Sequence, residues 1–203
     1  MRWSIIRLIW LRELRDQLRD RLHRALRALQ PYLDGVLQHL ADSSVKPQDL
    51  APLRRQAELA LANAEAGFQR MRAEPARRTE LLGEAFGLLV YLRRLCRHTI
   101  ALSLQQEGAP LPLQPVTRLR ELITAALGDL GKVVGEGRMS VPWPGLDSQF
   151  ADLESQLTPE AAAGSSCATG LLDRIVSDVM GLLGAAGYHR DITAVSRGAL
   201  TSP

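Results

Sequence analysis

Leucines at positions 11, 14, 18, 22, 26, 29, 33, 37 and 40 step forward by three and four, the spacing that stacks side chains on one face of a helix. A strand turns alternate residues to opposite faces and cannot gather such a stripe on one side. The chain therefore opens with a long amphipathic helix whose leucine face must be covered. Arg12 with Asp16, and Asp20 with Arg24, stand four apart on the polar side and add weak helical support. Pro31 removes one backbone donor and crowds the preceding turn, so a kink or short break is expected near residues 27–30.

The same period returns along the rest of the chain. Asp42-Ser-Ser-Val-Lys-Pro47 combines capping side chains with a proline suited to a first helical turn, ending one helix and starting another. This second helix runs over 47–73 with Leu50, Leu53, Ala57, Ala60, Leu61, Ala64, Phe68 and Met71 on its apolar face, and Glu74-Pro75 stops it. A third helix begins at Thr79 and buries Leu81, Leu82, Ala85, Leu88, Leu89, Leu92, Leu95, Cys96, Thr99 and Leu102. The short gap between the two requires an antiparallel hairpin.

A proline-punctuated connector at 108–115 leads to a helix over 116–134, with Leu119, Leu122, Ile123, Ala126, Leu127 and Leu130 inward. The Gly- and Pro-rich stretch 135–145 reads as a loop whose Trp143 packs on the bundle. A short helix over 146–157, a small-residue linker over 163–170 and an apolar helix over 171–186 complete the pattern, with residues after Tyr188 frayed. Aromatic residues make up only 4% of the chain, which leaves sheet little to build from. The expected class is all-α: an antiparallel helical bundle with a long amphipathic N-terminal helix. Its 203 residues suit one core, divided as a basic arm over 1–21, a bundle over 22–190 and a tail over 191–203.

The formal charge of +3 is unevenly spread, because residues 1–30 hold eight arginines against three acids. Positive character thus belongs to the arm and suits an anionic membrane surface or an acidic partner, rather than a nucleic-acid-binding domain. Trp3, Ile6 and Trp10, with Arg7 beside them, have the composition of a helix lying in the headgroup layer; docking on the bundle or on a second subunit is the alternative. No uncharged stretch reaches the roughly 20 apolar residues of a bilayer span, and no small-residue cleavage site follows the apolar start. The expected location is cytoplasmic, peripheral on the cytosolic face of the inner membrane.

Signals of reaction chemistry are sparse. Cys96 and Cys167 are isolated thiols, and His23, His39, His98 and His189 have no partner at helical spacing for a metal, so they read as surface histidines. Gly135-Glu-Gly and Ser165-Ser166 lack the strand-turn-helix setting of a phosphate loop or a nucleophile elbow. We expect no catalytic residue, no metal, no cofactor and no enzyme activity. Arg93, Arg94 and Arg97 form a basic cluster that either captures a carboxylate or is an ordinary solvated face. Gln56, Asn63 and Arg70 recur every seven residues, where a polar stripe either sets the register of a helical interface, in a homo-oligomer for example, or bonds across the hairpin.

The segments Leu59-Ala-Leu-Ala-Asn-Ala-Glu-Ala66, Ala73-Glu-Pro75 and Tyr91-Leu-Arg-Arg-Leu95 resemble the cytosolic C-terminal helical region of the fusaric-acid-resistance (FUSC) exporter family, a likeness that extends over about residues 22–188. It implies a module of a membrane assembly that exports aromatic carboxylic acids, in which a membrane-spanning partner subunit supplies the conduit. Without spans of its own the chain cannot transport, so oligomerisation or gating is the role implied. Residues 6–21 are similar to the opening helix of ABC-type permease subunits. The rival expectation is a free-standing cytosolic bundle that binds an aromatic carboxylate.

Overall fold

The computed structural model describes residues 2–42, 46–73, 79–105, 111–136, 145–156 and 159–187; the side chains of 2–15, 42, 47, 79–82, 136, 147 and 159–166 lie outside that description. The described residues form six helices: α1 (Arg2–Asp42), α2 (Pro47–Ala73), α3 (Thr79–Ser103), α4 (Leu113–Glu136), α5 (Leu146–Ser155) and α6 (Pro159–Ala185). No strand occurs among them, so the all-α bundle expected from the leucine spacing is what the chain forms. Pro47 opens α2 and Ala73 closes it just before Glu74-Pro75, because proline fits a first turn and cannot extend a last one.

Helix α1 is the axis of the molecule. Its stripe, Leu18, Leu22, Leu26, Leu29, Leu33 and Leu37, is buried and packs mainly against α2 and α4, with α3 also in reach. Side-chain pairings give the directions. Arg21 lies over Gly67 of α2 near one end and Leu50 over Gly35 near the other, so α1 and α2 run antiparallel. Arg19, His23 and Gln30 meet Val134, Gly131 and Thr124 in reverse order, so α1 and α4 do too. Phe68 against Phe86 and Glu65 against Arg93 make α2 and α3 a second antiparallel pair. Helix α6 covers the remaining side of α3, and α5 spans α4 and α6.

Two expectations need correction. Of the kink or short break expected near residues 27–30, the break does not occur, since Pro31 sits inside an uninterrupted α1. Pro31 is exposed while Tyr32, Leu33, Val36 and Leu37 beyond it are buried, so packing on the following turn holds the helix through the missing hydrogen bond. The small-residue stretch 163–170 is no linker but part of α6, which starts at Pro159. Proline in the first turn and three successive alanines favour helix there, and Gln105 Nε2 reaches Cys167 Sγ at 3.2 Å. The expected positions of Trp143 and of the chain after Tyr188 lie outside the described residues.

Candidate functional site

The basic cluster of α3 is divided between two neighbours. Arg93 donates from Nε to Glu65 Oε1 at 2.7 Å, tying α3 to α2. One helical step later Arg94 turns to α6, its Nε 2.9 Å from Oδ1 of Asp178. His98 Nδ1 is 2.6 Å from the other carboxylate oxygen. Arg97 is exposed. Two of the three arginines are therefore engaged in ion pairs to neighbouring helices although exposed, and Arg94 also lies 5.6 Å from the centre of the Tyr91 ring.

Asp178 is the surprise of this face. It has no solvent exposure and sits in the apolar run of α6 between Val176 and Val179. Burial raises its pKa above the ordinary carboxylate value, more than the His98 hydrogen bond and the charges of Arg94 and His98 lower it. Geometry agrees, because Oδ1 has no properly directed hydrogen bond even though Arg94 is close. When Asp178 is ionised it accepts from His98 Nδ1–H, which fixes that imidazole in one tautomer. The cluster clamps α3 to α6 and holds His98 at 18% exposure, so this is not the surface histidine the sequence suggests.

A second polar seam joins α1 to α4. Arg19 donates from Nε to the carbonyl of Val134 at 3.1 Å, and His23 Nδ1 lies 2.8 Å from the carbonyl of Gly131. Arg19 thereby satisfies a carbonyl in the last turn of α4 that has no partner within its own helix, while His23 reaches a carbonyl one turn earlier. Further along, Gln30 donates to the Thr124 carbonyl at 3.2 Å, and Thr124 donates to Asp34 at 3.1 Å. The imidazole fits closely because Gly135 has no side chain; a Cβ there would come within 3.2 Å of His23.

Above this seam lies a cavity of about 550 Å³ among α1, α2, α3, α4 and α6. Its walls are mostly apolar, and its charged members are Arg19, half-buried, and Glu84, exposed. Small residues make the space: Ala85 on α3 and the run from Gly184 to Gly187 at the end of α6. Neither Arg19 nor Asp178 stands out in the sequence, where one is among eight arginines of the first thirty residues and the other is one of three acids in a mostly apolar helix.

Gln56, Asn63 and Arg70 share the exposed side of α2, where Arg70 Nε donates to its own helix at the Ala66 carbonyl. Leu59, among them, is 64% exposed. The side chains of Trp3, Ile6, Arg7 and Trp10 lie outside the described residues. Among the described residues no helix is long and apolar enough to cross a membrane, and no three His, Cys, Asp or Glu side chains gather as a metal site. No protein-family model, curated protein or solved structure matches the chain.

Proposed function

We propose that this chain is a non-enzymatic helical module that docks at the cytosolic face of a membrane and serves a membrane-spanning partner in oligomer contacts or gating. The sequence resemblance to FUSC-type exporters of aromatic carboxylic acids names the kind of assembly. The observation that carries the reading is the continuity of α1, one 41-residue helix from the basic, tryptophan-bearing start to the end of the bundle seam. A helix of that length is about 60 Å long and links the arm to the core without a hinge. Whatever the arm binds is therefore felt by Leu18 and Leu22, the first buried leucines of α1 among the described side chains.

Flotation with vesicles tests it. Wild type should float with vesicles rich in phosphatidylglycerol and less with pure phosphatidylcholine, while a W3S/I6S/W10S variant should stay in the dense fractions. Equal behaviour of the two proteins would overturn the membrane-docking reading.

A second reading, a bundle that binds a small carboxylate, is favoured by the cavity beside Arg19 rather than by the α3 arginines, two of which already pair with acids of this chain.

A further inference from the structure

We propose that the cavity at the end of the bundle is a binding site for a monocarboxylate with an apolar body, its carboxylate on Arg19 and its body between the leucines of α1 and α3 and the valines of α4. This deepens the ligand-binding reading and does not depend on the membrane-docking one.

Size is the first argument. About 550 Å³ lies within the range of roughly 300–1,000 Å³ common to small-molecule sites. The walls are the second: Leu22, Leu88, Val133 and Val134 offer an apolar lining continuous with the core. A ligand whose body is apolar gains by leaving water there.

Charge selects the head group. Arg19 is half-buried and oriented, because its Nε–H is bonded to the Val134 carbonyl. That bond leaves the two terminal nitrogens of the guanidinium as a fork, the geometry that pairs with a carboxylate through two parallel hydrogen bonds. Glu84 lines the same cavity but is exposed, so its charge is well hydrated and exerts less pull on a ligand cation. Helix α6 ends at this cavity too, yet its final carbonyls are largely occupied: Ala186 N–H bonds Leu182 and Leu183, and Gly187 N–H bonds Gly184. The draw of that helix end for a cation is correspondingly reduced.

Titration calorimetry with sodium decanoate, below its micelle concentration, tests the assignment on the full chain, with decylammonium chloride and decanol as head-group controls. Decanoate should bind saturably with one site, and the two controls at least tenfold more weakly. R19Q should weaken decanoate at least tenfold and R19K less, while E84Q should leave it unchanged or improve it. Because Arg19 also caps α4, A85F supplies a second variant: it puts a ring into the cavity while leaving Arg19 in the chain, and it should abolish binding while circular dichroism and melting remain native-like. Retained decanoate binding in A85F, or stronger binding of decylammonium than decanoate, would overturn the proposal. A decanoate signal lost in W3S/I6S/W10S but kept in A85F would place the binding on the arm and overturn it as well.

Discussion

Gly181 shows how little room single residues leave at the α3–α6 contact. A Cβ built there would stand 2.2 Å from the Tyr91 ring, so α6 passes Tyr91 only because position 181 has no side chain. G181A should destabilise the protein by about 1–3 kcal/mol in urea unfolding, and the cost should shrink in G181A/Y91L; an additive double variant would refute the contact as the cause. Titration gives a second prediction at this scale. Burial raises the folded pKa of Asp178, so the folded state takes up this proton more readily than the unfolded chain and gains stability as pH falls through that raised value toward 3.8. Wild type should accordingly gain relative to D178N between pH 7 and pH 4, and a difference independent of pH would sink the assignment. Cys96 acts at the alkaline end. Burial first, then Glu58, push its thiol from 9.0 up to about 11. Its contribution is complete below the unfolded value and is lost as pH rises through the folded one, a change on the order of 3 kcal/mol. Tyr32, raised by burial, works in the same direction. C96A should flatten the decline of wild-type stability between pH 9 and pH 11, as read by chemical unfolding at each pH.

Among the elements, α1 makes the strongest demand on its surroundings. It carries an internal proline, and its burial against α2 and α4 outweighs that defect. Proline in a helix interior costs about 3 kcal/mol relative to alanine, and Pro31 is exposed, so nothing in the core relies on its ring. P31A should raise stability by about 1–3 kcal/mol, measured as a higher urea midpoint with an unchanged slope; a neutral or destabilised variant would show that the proline sets a bend the bundle needs. The seam from α1 to α4 has a different character. Its bonds run from side chains to carbonyls near the end of α4, of which that of Val134 has no partner within the helix, and so it orients α4 on α1 as well as covering it. Exposed pairs such as Arg54–Glu58 and Lys132–Asp129 add little by comparison.

For the whole molecule, the outward face of α2 bears on association. Leu59 stands exposed beside Gln56 and Asn63, on a helix otherwise packed against α1 and α3. If this stripe pairs copies of the chain, light scattering should show mass rising with concentration, and L59K should hold the protein at the monomer mass; a wild type monomeric throughout would end that reading. The helices and most of the core were legible in the sequence, because a period of three and four in leucine and alanine marks a buried face wherever it occurs: Ile175, Val176, Val179, Leu182 and Leu183 are all buried as their spacing requires. Boundaries set by proline were legible too, at Pro47 and before Pro75, whereas the sequence left kink and break open at Pro31 and placed a linker over 163–170 where α6 is helical, since neighbouring packing overrode local preference. The roles of Asp178 and Arg19 were hidden for another reason. Their partners lie 80 and 115 positions away, and no local pattern records which helices meet. Periodicity alone determined that this chain makes amphipathic helices around one core, because each turn reports its own buried side. Only the tertiary structure decided which arginine clamps a buried acid and which looks into a cavity, because those fates depend on how the helices are placed against one another.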